Sequence, residues 1–110
     1  MTELTGKQRR FLRALAHDKK PIVQIGQSGL TDAVNEAIRQ ALQTHELIKI
    51  KLGSEVELDP AEVGAEIEQA CRAQLAQVIG RTLIVYKRRV KDPKINLPRD
   101  NAGRASKGSA

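Results

Sequence analysis

Apolar positions along this chain change their period several times, and each change marks an element. From about Thr5 to His17, Phe11, Leu12 and Leu15 gather on one side at about 100° per residue, which predicts an amphipathic helix. Thr5 and Gln8 stand at capping-box spacing at its start. Lys20-Pro21 ends it, because the residue before proline avoids the helical region. A short apolar run, Ile22-Val23-Gln24-Ile25, then reads as a strand. A second helix opens at the N-cap Thr31, with Val34, Ala37, Ile38, Ala41 and Leu42 as its stripe. In Leu47–Leu52 the period falls to two: Ile48, Ile50 and Leu52 face one way, Lys49 and Lys51 the other. Pro60 suits the first position of a third helix running to about Gln74, with Val63, Ile67 and Ala70 or Cys71 buried. Strands Ala76–Ile79 and Thr82–Tyr86 flank a tight Gly80-Arg81 hairpin.

The order is α-β-α-β-α-β-β. This predicts an α/β two-layer sandwich with the helices on one face of a four-stranded mixed sheet. Its 110 residues suit one domain. The domain is expected over residues 1–98. From Arg88 the chain turns basic and rich in Pro, Gly and Ser, which predicts a tail largely disordered when free, with residues 99–110 outside the domain. Pro93–Pro98 is the part of it that can lie along the domain.

Charge is distributed unevenly. The chain carries +6 overall, with +4 in residues 1–20, −3 in 21–60, −2 in 61–80 and +7 in 81–110. A basic front and end around an acidic middle suit a polyanion, with nucleic acid the first candidate. On the helical projection Arg9, Arg10, Arg13 and His17 are read as lying opposite the apolar stripe, with no acidic residue among them. The one cysteine, Cys71, cannot form an internal disulfide, and no run has the length of a membrane span. A cytoplasmic, monomeric protein is the expectation.

Gly26-Gln27-Ser28-Gly29 sits between the first strand and the second helix. Glycines there let backbone N–H groups approach a negative group near a helix N-terminus. Alone the motif is weak, since a plain strand-to-helix turn looks the same. Enzyme chemistry finds less support. His17, His45 and Cys71 lack metal-ligand spacing, and Leu30-Thr31 stand where a phosphate-binding loop needs its lysine. Cys71 reads as a core residue, and His45 as a partner for the second helix's C-terminal dipole. No cofactor is implied. With only Phe11 and Tyr86 as aromatics, base stacking is not expected to carry RNA affinity.

Several stretches together resemble the CRM domain (chloroplast RNA splicing and ribosome maturation), above all its bacterial single-domain YhbY-like members. They are Leu15-Ala16-His17 with Lys20-Pro21, Gly26 to Thr31, His45-Glu46-Leu47-Ile48-Lys49-Ile50-Lys51, and Gln77 to Tyr86. The resemblance implies a fold similar to the C-terminal domain of translation initiation factor 3. It also implies RNA binding through the GxxG loop and nearby basic surface, and association with ribosomal RNA in precursors of the large subunit. Plant relatives assist group II intron splicing. The expected contacts are Gly26, Gln27, Ser28, Gly29, Arg9, Arg10, Arg13, Lys19, Lys20, Lys49, Lys51, Arg81, Lys87 and Arg88. The alternatives are a module docking on ribosomal proteins and, less favoured, a small nucleotide-binding enzyme.

Overall fold

A computed structural model describes residues 3–98. The elements are α1 (Gly6–Ala16), β1 (Val23–Ile25), α2 (Asp32–His45), β2 (Leu47–Leu52), α3 (Pro60–Cys71), β3 (Gln74–Ile79) and β4 (Thr82–Tyr86). They build one four-stranded sheet in the order β1-β2-β4-β3. β1 runs parallel to β2, and β4 is antiparallel to both β2 and β3, so the sheet is mixed. The α/β class, element order and mixed sheet are those expected.

Helix starts follow the capping chemistry. Thr5 accepts from the Gln8 N–H while Gln8 Oε1 accepts from the Thr5 N–H, a complete capping box. Thr31 caps α2 through the Val34 N–H, and Asp59 caps α3 with Pro60 following. The end of α3 departs from expectation. Arg72 enters the left-handed region at φ 52°, ψ 47°, so the helix stops at Cys71 and Gln74 already belongs to β3.

The layering also differs. Ile48, Ile50 and Leu52 of β2 and Leu83 and Val85 of β4 pack with Ile38 and Leu42 of α2 and Val63, Ile67 and Cys71 of α3. The alternate positions Leu47, Ile84 and Tyr86 pack with Leu12 and Ala16 of α1. Side chains alternate between the faces of a strand, so α1 covers the face opposite α2 and α3. The helices therefore form two layers around the sheet, not one.

α1 is turned from its projected orientation as well. Leu12 and Ala16 are fully buried, Phe11 is half-buried and Leu15 is exposed. Arg9 falls on the Leu12/Ala16 side, because positions 9, 12 and 16 share one helix face.

Residues 87–98 contradict the expectation of a tail loose from Arg88. Ile95 and Leu97 pack against the α1 cluster, and Gln8 Nε2 donates to the Pro98 carbonyl at 3.1 Å. The anchor is Glu46, 1% exposed just past α2. Its Oε1 accepts from the N–H groups of Lys94 (2.6 Å) and Ile95 (3.0 Å), and its Oε2 from that of Arg89 (3.0 Å). The Glu46 carbonyl accepts from Lys87 N–H at 2.8 Å. Burial by itself would raise this carboxyl. The three backbone donors and the Arg89 charge outweigh burial and hold it below its ordinary value. The expected disorder of residues 99–110 lies outside the described residues.

Candidate nucleic-acid interface

The GxxG segment is a tight turn. Gly29 N–H donates to the Gly26 carbonyl at 3.0 Å, and Thr31 N–H to the Gly29 carbonyl at 3.1 Å. Two donors at the loop are thereby engaged within it. Gln27 and Ser28 project at its exposed tip. The two glycines do different work. Gly29 is buried at φ 70°, and a Cβ there would stand 3.5 Å from Leu58 Cδ1, so this glycine shapes the backbone. Gly26 is exposed, with nothing within 4 Å of an added Cβ, so the space beside it is open.

The basic residues divide into two groups. Three of the expected contacts brace the fold. Arg9 Nη1 donates to the β3 carbonyls of Leu75 (2.7 Å) and Ala76 (3.3 Å), at the register shift between Leu75 and Gln77. Arg81 bridges the β2–α3 connection, donating to the carbonyls of Gly53 (3.1 Å from Nη2) and Val56. Lys87 Nζ donates to the Cys71 carbonyl at the end of α3, at 3.0 Å. A buried backbone carbonyl needs such a donor, and the positive charge faces the negative end of the α3 dipole.

The remaining expected side chains are more open. Arg10, Arg13, Lys19, Lys20, Lys51 and Arg88 are exposed. Lys49 is half-buried, its Nζ donating to the His17 carbonyl at 3.1 Å just past α1. Lys49 and Lys51 alternate with Ile48, Ile50 and Leu52, so both lie on the α1 side of the sheet. Lys19, Lys20 and Lys49 line a groove of about 200 Å³ together with His45, Ile22, Leu47 and Ile48. The Arg88 side chain belongs elsewhere, near Leu4, Tyr86 and Ile95 at the other end of α1.

Placing α1 alone on its face polarises the molecule. α1 carries Lys7, Arg9, Arg10 and Arg13 and no acidic residue. α2 and α3 together carry Asp32, Glu36, Glu62, Glu66 and Glu68 against Arg39 alone. By charge the α1 face suits a polyanion better than the α2/α3 face does. Sequence reasoning found both charge sets but not that the sheet separates them.

No aromatic platform exists among the described residues. Tyr86 is 2% exposed, and its hydroxyl is pushed up by burial and then by Glu46. The Cys71 thiol is buried, pushed up chiefly by desolvation, and lies 3.7 Å from the Asn35 carbonyl, as a core residue does. Among the described residues no group of His, Cys, Asp and Glu is placed to hold a metal, and no helix is long and apolar enough to cross a membrane.

Known proteins are similar to this chain in sequence and in fold. The chain is 41% identical over 95 residues to the "Probable RNA-binding protein YqeI" of Bacillus subtilis, covering 86% of this chain and 99% of that one. It is 42% identical over 100 residues to an "RNA-binding protein" of Haemophilus influenzae, covering 90% and 99%. The solution structure of SAV1595 from Staphylococcus aureus matches with a TM-score of 0.75 at 38% identity, over 86% of this chain and 99% of that chain. The CRS1 / YhbY (CRM) domain model matches residues 4–87, and with these relatives it shows that the chain belongs to the CRS1/YhbY (CRM) domain family.

Proposed function

We propose that this protein binds structured RNA through its α1 face and the tip of the GxxG loop, without catalysing a reaction. The observation that carries this reading is the segregation of charge across the sheet. Open arginines and lysines (Arg10, Arg13, Lys19, Lys20, Lys51) share the α1 side, and the acidic helices lie behind it. Relatives covering nearly the whole chain are named RNA-binding proteins, which agrees with it. Such groups meet phosphates and 2′-hydroxyls, so recognition follows shape more than base sequence. The resemblance noted above makes ribosomal RNA in large-subunit precursors the proposed target, with assembly of that subunit as the role.

Salt titration tests the interface. A variant with Arg10, Arg13, Lys19 and Lys20 changed to Gln should fold normally. Its slope of log K against log[salt] should fall by about three if each side chain neutralises one phosphate. An unchanged slope would remove the α1 face from the interface. Affinity hardly dependent on salt in the unaltered protein would favour docking on a protein. Crosslinking in cells, with sequencing of the attached RNA, tests the target: large-subunit precursor sequences are expected to dominate.

A further inference from the structure

Part of the α1 face of the sheet lies beyond the reach of α1. The pairing register places Gln24 of β1 beside Lys51 of β2, Lys51 opposite Thr82 of β4, and Thr82 opposite Ile79 of β3. Paired neighbours across a sheet point to the same face. The adjacent positions Ile25, Leu52, Leu83 and Val78 belong to the α2/α3 core, so this row faces the α1 side. The α1 cluster stops at Leu47, Ala76, Ile84 and Tyr86 and includes none of the four. Gln24 and Lys51 are exposed, Thr82 is half-buried and Ile79 is 43% exposed. The sheet therefore has a bare shelf, four strands wide, facing solvent.

The shelf has neighbours at both ends. Gln24 lies two residues, about 7 Å along the strand, before Gly26 of the exposed loop. In the other direction Lys49 leads to the end of α1 and to the groove bordered by Lys19 and Lys20. The only acidic residue in the Ala16–Lys20 segment is Asp18, among His17, Lys19 and Lys20. Asp18 apart, the charges along this path are cationic. The groups between them are neutral: one amide, one hydroxyl and the aliphatic Ile22 and Ile79, with no Phe, Tyr or Trp ring.

A strip of this kind matches a ribose–phosphate backbone and offers no Phe, Tyr or Trp on which to stack a base. Resting on the RNA-binding reading above, we infer that one strand of the bound RNA crosses this shelf from the GxxG loop towards Lys19 and Lys20. Lys51 and Lys49 contact phosphates. Gln24 and Thr82 hydrogen-bond ribose 2′-hydroxyls, which makes them the residues that distinguish RNA from DNA. Neither belongs to a basic cluster or to the glycine loop.

The test uses a stem–loop RNA with a long single-stranded loop and the DNA of the same sequence, each titrated at several salt concentrations. The unaltered protein should prefer the RNA. The double variant Gln24→Ala/Thr82→Val should lose about tenfold in RNA affinity, from two neutral hydrogen bonds, with DNA affinity and the RNA salt slope unchanged. Lys51→Gln should instead weaken RNA and DNA alike and reduce the salt slope. Circular dichroism and thermal melting establish that both variants are folded, and Gln24→Ala alone, at an exposed position, serves if Thr82→Val is not. Equal binding of RNA and DNA by the unaltered protein would overturn the inference. So would RNA preference undiminished in the folded variant, or an equal loss on both probes. Each of these leaves RNA binding itself standing, whereas failure of the unaltered protein to bind RNA at all would overturn the underlying reading.

Discussion

At the scale of single residues, similar side chains in this protein do unlike work, and the difference is measurable. Gly26 and Gly29 look equivalent as a motif, yet only Gly29 has a positive φ. Gly29→Ala should cost about 1–2 kcal/mol of stability, the penalty of a left-handed conformation for a residue with a Cβ. Gly26→Val should leave the melting temperature nearly unchanged and weaken RNA binding, because a Cβ there points into open space and would obstruct the proposed approach. A melting curve and a binding isotherm for each variant check the pair; an RNA affinity unaltered in Gly26→Val would take the loop out of the interface. The arginines divide in the same way. Arg9→Gln or Arg81→Gln removes a donor from partly buried carbonyls, at about 1–3 kcal/mol. Arg10→Gln should change stability by less than about 0.5 kcal/mol, as an exposed surface substitution does. Denaturant titration of the three variants separates brace from open surface.

At the scale of elements, one buried carboxylate fixes the backbone of residues 89–95 after β4. Glu46 follows α2 at φ 61°, ψ −37°, an uncommon conformation for a residue with a side chain. The hydrogen bonds from Arg89, Lys94 and Ile95 accompany that geometry. Glu46→Gln should destabilise the fold by about 2–4 kcal/mol, because an amide presents donors towards backbone N–H groups that need an acceptor. The sign with pH follows from the lowered carboxyl. Its contribution is present above the ordinary glutamate value of 4.5 and is lost as pH falls through the lower folded value. The stability gap between the unaltered protein and Glu46→Gln should accordingly be full near neutrality and shrink in acid, measured by urea unfolding at each pH. A constant gap would mean that Glu46 does not act as a buried anion. Strands and helix starts were legible in the sequence because period and capping are local: Thr5 with Gln8, Thr31 and Pro60 each mark a start within a few residues. What was not legible depends on contacts distant in sequence. The brace role of Arg9 and the hold of Glu46 on residues 89–95 need partners 43 to 67 positions away, the α1 layer likewise rests on residues distant in sequence, and no period records them. The basic site was legible as a composition but not as a surface, since Arg81 and Lys87 differ from Lys51 only in what the fold places beside them.

At the scale of the whole molecule, the proposed RNA interface lies within the described domain, so the residues beyond it should tune affinity and not choice. Residues 100–110 carry Arg104 and Lys107 against Asp100, a net of +1, and offer few apolar side chains to bury. A chain ending at Arg99 keeps the Pro98 carbonyl that accepts from Gln8, and keeps Ile95 and Leu97 packed beside α1. Its melting temperature should match that of the full chain. Removing one net charge from a polyanion binder weakens association through the counterion-release term, an effect independent of sequence. The truncated chain should bind every RNA more weakly by a similar, modest factor, and that factor should shrink as salt rises. Preference between a large-subunit ribosomal RNA fragment and an unrelated stem–loop should stay as it was, because the groups proposed to read RNA shape lie on the α1 face. Competition titrations of the two RNAs against both chain lengths decide it: if truncation erased the preference while the domain stayed folded, specificity would reside in the last residues and not on the sheet.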